Sequence, residues 1–528
     1  MNLEYTPILH VPALVPILAV GSAFALPLIH LVTKSRKVCE YFVVTITGIE
    51  LVLTTIVLHL AYTSTKPIIY TFGAWPPPVG IVYEIDRFSA LLGVLAAVLF
   101  FTAALYSTKY LEKDYGVEWY YTLLLGFEAG IVGCAYTGDI FNLFVMFEVL
   151  SISAYALVAF RKDVPEAVEG SLKYAIVGSV ATTIYFIAIT FIYGSFGTLN
   201  MADLAAKVRG LTFPVTGTAL GNVHVATGIA LALIVWAFSI EAALVPNHFW
   251  LPDAYVGAPV TFSAISSGAA VNISLYIIAR YLYTILQGRD GPAAPTVEAV
   301  LIALVVMGCL SAIVGSVLMI VQKDINRLIA YSTIVNSGYI AIGLGIGTPL
   351  GIVAALFHMI NHAVAKALLF FCAGNYVHVV GSRDLDDLAG VGKKMPLTTI
   401  GLVVGALALA GVPPLNCFMS KLILAQALFE ANLTPLIAVI VFASVLSLMA
   451  YLKIIYNVYC RAPVKKLPEA REHPLMAYPV IAYAITCIVF GLLAPILVPT
   501  AIEPAVTDLL NTDNYIKAAM EIAEKLLR

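Results

Sequence analysis

Ionisable side chains set in the middle of long apolar runs are the places in this sequence where chemistry could occur. Glu148 lies in LFVMFEVLSIS, Lys173 near the start of the following run, and Glu241 in SIEAALVP. His358, His362 and Lys366 share HMINHAVAK, Lys421 follows in GVPPLNCFMSK, and Lys453 in MAYLK. Glu50, His59 and Glu128 precede them all. A charge near the bilayer centre is costly unless it is paired or hydrated, so each of these groups is a candidate for moving ions. His358, His362 and Lys366 recur at i, i+4 and i+8, which places them on one helix face, where titratable groups can hold water and pass protons between neighbours. A lone carboxyl such as Glu148 can also be held neutral by a hydrogen bond, and Lys173 and Lys453, each near a helix end, can snorkel to the interface.

Elements that could carry such groups recur along the whole chain. Of its 528 residues, 61% are hydrophobic and 11% charged, against roughly 25% charged in soluble domains. Mean hydropathy is +0.95. Apolar runs long enough to cross a hydrocarbon core of about 30 Å as helices predict an all-α polytopic membrane protein with about fourteen transmembrane helices. The expected spans are 10–33, 39–63, 84–108, 119–138, 139–160, 170–195, 222–256, 259–286, 295–321, 326–346, 348–378, 396–430, 432–457 and 474–499. The run from Leu9 to Val32 has neither a basic segment before it nor a small-residue cleavage site after it, so it reads as a span rather than a signal peptide.

Two of the spans, 222–256 and 396–430, exceed what a straight crossing needs and contain Pro246 and Pro413–Pro414. Both are expected to be broken, because proline removes a helix hydrogen bond, and the freed backbone groups can bind ions or water at membrane depth. Glu241 and Lys421 each lie within about two turns of a break.

Lys and Arg gather on alternate loops, around 34–37, 109–113, 161–162, 323–327, 383–394 and 461–471. These loops are expected on the cytoplasmic side, which puts both termini outside. The tail from Thr512 to Arg528 places Ile516, Met520, Ile522, Ala523, Leu526 and Leu527 at helical spacing, with Thr512 or Asp513 as its cap, and reads as an amphipathic surface helix. Seven scattered cysteines, with no CxxC or Cys/His spacing, predict no metal and no cofactor, so redox chemistry belongs elsewhere. A net charge of −2 gives no nucleic-acid footprint.

Six stretches carry a resemblance to a known family. They are TGDIFNLFVMFEVLSISAYALVAF, SLKYAIVGSVATTIYFIAITFIYGSFGTLN, ALVPNHFWLPDAYVGAPVTFSAISSG, QKDINRLIAYSTIVNSGYIAIGLG, HMINHAVAKALLFFCAG and GVPPLNCFMSK. In this order they resemble the antiporter-like subunits of respiratory complex I, of Mrp-type cation/proton antiporters, and of archaeal membrane-bound hydrogenase- or sulfur-reductase-type complexes. The resemblance spans about residues 80–460. It implies two inverted five-helix repeats, each with one broken helix, and so a division into 1–115, 116–290 (first repeat), 291–460 (second repeat) and 461–528.

By motif position Glu148 matches the family's helix-five glutamate, and His358, His362 and Lys366 match its helix-eleven relay. Lys421 matches its helix-twelve lysine, and Lys173 lies near a supporting charge in helix six. Two positions depart from the family, which usually has lysine where Glu241 and Asn272 stand. The resemblance implies a non-redox subunit that moves protons, or couples H+ and Na+ movement, in the cell membrane. Its implied partners are other membrane subunits, further antiporter-like ones included, with a peripheral redox module as an indirect partner. The alternatives are a structural membrane-arm subunit whose first half-channel has degenerated and a free-standing transporter.

Overall fold

The computed structural model describes residues 10–211, 213, 217–219, 223–291, 293–469 and 471–527. Helices dominate because backbone polar groups in lipid must be satisfied within the segment itself. The first helices are α1 (Val11–Thr33), α2 (Arg36–Thr63), α3 (Arg87–Tyr110), α4 (Val117–Tyr136), α5 (Ile140–Val158) and α6 (Pro165–Phe196). A short α7 (Met201–Val208) precedes the half-helices α8 (Val223–Glu241) and α9 (Trp250–Gly257). Next, α10 (Val260–Ile265) and α11 (Val271–Ala279) run on through π-turns at Ser266–Ala270 and Arg280–Ile285. Then follow α12 (Ala294–Val321), α13 (Ile325–Ile346), α14 (Pro349–Val380), the half-helices α15 (Pro396–Ala410) and α16 (Asn416–Glu430), and α17 (Pro435–Ile455). The chain closes with α18 (Pro474–Leu492), α19 (Ala494–Leu497), α20 (Glu503–Leu510) and α21 (Thr512–Leu527).

Every predicted span is a helix or a pair of half-helices. Among the described residues, 12 helices are long and apolar enough to cross a membrane; the other two predicted segments are α4 and the α15–α16 pair. The segment Val260–Asp290 is wholly buried in its apolar window, and α13 and α14 are 94% buried, so these three form the centre of the bundle. The lipid-facing helices α1, α2 and α17 instead expose Phe24, Leu28, Val52 and Val445. The histidine stripe therefore lies on one of the most enclosed helices.

The loops sort onto two faces. On one, Arg36 donates to the Glu112 carbonyl, Arg161 pairs with Asp114 at 2.9 Å, Arg383 with Asp324 at 3.1 Å and Lys465 with Asp387 at 2.6 Å. These are the loops that the basic-residue count groups together. On the other face an unpredicted hairpin, β1 (Ile68–Thr71) against β2 (Val82–Ile85), meets α21, which also packs on α7. The tail helix forms as expected, with Tyr515, Ile516, Ala519 and Ala523 buried. Its cap is Asn511, whose side chain accepts from the Asn514 N–H, rather than Thr512 or Asp513. Leu526 and Leu527, expected on the apolar side, are exposed.

Both breaks occur. The first begins earlier than its proline: α8 ends at Glu241, and Ala243 adopts a left-handed φ of 51°. Backbone groups freed at membrane depth must find other partners, and here they do. The Ile240 carbonyl accepts from Trp250 Nε1 at 2.8 Å, and the Val245 N–H donates to Ser311 Oγ at 2.8 Å. The second break separates Ala410 from Asn416.

A candidate ion path at mid-membrane

Lys421 sits on the second turn of α16, and the break aims it back at the end of α15. Its ammonium donates to the carbonyls of Leu409 at 2.8 Å and Ala410 at 3.4 Å, and to Ser444 Oγ at 3.1 Å. The last carbonyls of a helix lack partners of their own and carry the negative end of its dipole, so a cation is well placed there. The ammonium also lies 4.8 Å from the centre of the Tyr339 ring.

Tyr339 packs edge-on against His358, with ring centres 5.7 Å apart. His358 Nδ1 is 2.8 Å from Ser420 Oγ, next to Lys421 in the chain, and its Nε2 is 3.1 Å from Asn336 Oδ1. An amide oxygen accepts only, which assigns the proton to Nε2 and leaves Nδ1 as the lone-pair side. The His362 ring stacks parallel to that of His358 at 6.3 Å, and neither of its nitrogens has a protein partner. Lys366, one turn further, donates to the Ile329 carbonyl at 2.7 Å and to Ser332 Oγ. All four side chains are buried, so the second half of the chain does bring them into one row.

The first half places its groups differently. Glu241 ends α8 inside an aromatic box. Tyr174 stacks on Trp250 at 3.9 Å and donates to Glu241 Oε2 at 3.4 Å, while Tyr155 meets Tyr174 edge-on at 4.6 Å. Gly178 makes room for it, since a Cβ there would fall 2.0 Å from Tyr155 Oη and 3.0 Å from Glu241 Oε1. Glu148, half-buried on α5, is within electrostatic reach of Glu241. Lys173 joins neither. It pairs at 2.6 Å with both Glu169 and Asp253, and Asp253 also holds Arg327 at 2.6 Å. Lys453 donates to the carbonyls of Ile320 and Gln322 and so caps the end of α12.

Sequence reasoning missed the box of Tyr155, Tyr174 and Trp250, whose members come from three helices. It also missed Asn336, Ser420 and Ser444, because single polar residues in apolar helices give no periodic signal. Among the described residues no cluster of His, Cys, Asp or Glu is arranged to hold a metal ion.

Residues 137–447, which contain every group in these two constellations, match the family model described as NADH:quinone oxidoreductase/Mrp antiporter, TM. The chain belongs to this family. It is 33% identical to NADH-quinone oxidoreductase subunit N of Desulforudis audaxviator, over 94% of this chain and 98% of that one. It is 34% identical to a Na(+)/H(+) antiporter subunit of Alkalihalophilus pseudofirmus, over 72% and 74%. Among solved structures it superimposes on a chain of the membrane-bound sulfane sulfur reductase, an archaeal respiratory membrane complex, with a TM-score of 0.87 and 32% identity, covering 96% of this chain and 99% of the other. This antiporter-family chain is thus a multi-pass membrane protein, as its apolar helices require.

Proposed function

We propose that this chain is a non-redox, antiporter-like subunit of a multisubunit energy-converting membrane complex, and that it translocates protons or couples H+ to Na+ movement. The observation that carries this reading is the row from Lys421 through His358 and His362 to Lys366, buried at mid-membrane with each member one side chain from the next. The α15 carbonyls and the Tyr339 ring fix the position of the Lys421 head group. A proton leaving it passes to His358, which packs on the other side of Tyr339. His362, unpaired by protein, exchanges with water or with its neighbours, as a buried polar group must find a partner. Lys366 receives the proton next. The Lys421→Ala complex, reconstituted in proteoliposomes, tests this reading through its ion movement.

In this reading residues 116–290 and 291–460 are the two antiporter-like repeats, flanked by 1–115 and 461–528. Glu148 and Glu241 are the carriers of the first repeat, and Lys173 works at its mouth on the basic-loop face. Further antiporter-like membrane subunits flank the chain, a peripheral redox module drives it indirectly, and it resides in the cytoplasmic membrane with both termini outside. Accessibility labelling of a cysteine placed in the tail tests that orientation; labelling from the cytoplasmic side alone contradicts it.

A second reading, a membrane-arm scaffold with a silent first repeat, has specific support. Glu241 faces Glu148 with no lysine between them, and Asn272 spends its amide on backbone carbonyls.

A further inference from the structure

Two buried carboxyls lie outside both constellations. Glu50 is the midpoint of α2 and Glu128 lies midway along α4; both are fully buried, and none of their four carboxylate oxygens has a hydrogen-bond partner among the described residues. The helices α2 and α4 pack together and both start on the basic-loop face, so they run parallel. Counting from their first residues, Glu50 stands 14 residues and Glu128 11 residues along, heights of about 21 and 17 Å at 1.5 Å per residue. The two carboxyls are close enough to interact electrostatically.

A third unpartnered group points into the same space. Tyr136, wholly buried on α4, tucks its ring against α3 at Gly93, where a Cβ would fall 2.3 Å from the hydroxyl, and it feels the charge of Glu50. Its hydroxyl too has no partner. Among the described residues no cation neutralises the pair. α1 has no titratable side chain between His10 and His30, α3 has none between Arg87 and Tyr106, and α5 offers only Glu148 and Tyr155. Thr47 and Thr54, which flank Glu50 on its own helix face, bond their hydroxyls back to backbone carbonyls.

Two unpaired carboxylates side by side in low dielectric are prohibitively costly, whereas a carboxylic acid donating to a carboxylate satisfies both. The seam between α4 and α5 fixes which way Glu128 points. Gly126 and Gly130 seat against Ser153 and Leu150 of α5, so Glu128, two residues from each, projects from the opposite side of α4.

We propose that Glu50 and Glu128 hold one exchangeable proton between them and form a further proton-binding site where α2 meets α4. One carboxyl keeps its proton while the other is ionised, and the bound proton exchanges with water, so charge and atoms balance without a co-reactant. The site stands apart from the function proposed above.

The test uses the intact complex. Infrared difference spectra of the protonated-carboxyl band are titrated with pH for wild type, Glu50→Gln, Glu128→Gln and the double variant, and proton translocation is measured in proteoliposomes with Lys421→Ala alongside. Sharing predicts two separated steps in wild type, one in each single variant and neither in the double variant. Glu50→Asp and Glu128→Asp, which keep a carboxyl, should keep both steps and serve where a glutamine variant fails to assemble. Single-variant titrations that simply add up to the wild-type curve overturn the shared proton. A wild-type complex that moved no ions would refute the proposed function, and the titration alone would then decide the pair.

Discussion

Asn272 donates its side-chain amide to the backbone carbonyl of Met359 at 2.9 Å, tying α11 to α14 between His358 and His362. A second bond, to the Gly268 carbonyl at 2.7 Å, satisfies an acceptor loosened by the π-turn. The junction between the two halves of the chain is therefore clamped by a group that cannot titrate. Asn272→Leu keeps the branched outline of the side chain and removes two buried hydrogen bonds, so the solubilised protein should lose about 1–3 kcal/mol of stability. Thermal unfolding measures that loss. Ion movement should survive, and its disappearance from a normally assembled complex would show that Asn272 takes part in transfer.

Glu241 decides whether the first repeat conducts. If Glu148 and Glu241 pass a proton between them, Glu241→Gln breaks the exchange and should impair coupled ion movement. Glu241→Lys supplies a Glu–Lys pair in its place and should retain part of it. Both are read in proteoliposomes of the whole complex, with subunit stoichiometry as the assembly check. Unchanged movement in both variants assigns the first repeat to a scaffold role.

Fold and site were legible in the sequence to different depths. Spans could be read because lipid demands about 20 apolar residues per crossing, and Pro246 and Pro413–Pro414 advertised the breaks. The true end of α8 could not be read, since it falls at Ala242–Ala243, residues with no breaking tendency of their own. The stripe of His358, His362 and Lys366 was visible because it lies on one helix. The carbonyls that hold Lys421 were not, because they belong to the backbone of another half-helix. The hairpin of β1 and β2 and the short α7 were missed for a related reason: four-residue strands and an eight-residue helix carry too little periodicity to stand out.

Gly178 is the steric condition for the Glu241 box. With a methyl group 2.0 Å from its hydroxyl oxygen, the Tyr155 side chain must swing away. Gly178→Ala should thus cost about 1–3 kcal/mol through overpacking and slow ion movement along with Glu241→Gln. Thermal unfolding and the proteoliposome assay check the two halves of this statement. A variant with wild-type stability would mean that the box is loose.

Lys173 belongs to a surface network rather than to the Glu148–Glu241 centre. Its side chain is 42% exposed, so its pairs with Asp253 and Glu169 are each worth about 0–1 kcal/mol. Lys173→Gln should shift thermal stability little and lower ion movement far less than loss of Lys421. Inactivity as complete as that of Lys421→Ala would place Lys173 on the path itself.

The claim on which the account rests is that Lys421 carries the moving proton of the second repeat. The measurement that tests it most directly is ion movement by the Lys421→Ala complex in proteoliposomes, at verified subunit stoichiometry. Alanine removes the ammonium that bridges α15 and Tyr339 toward His358 while sparing the helix, so coupled ion movement should vanish and assembly should persist. Movement at the wild-type rate in that complex would contradict the account.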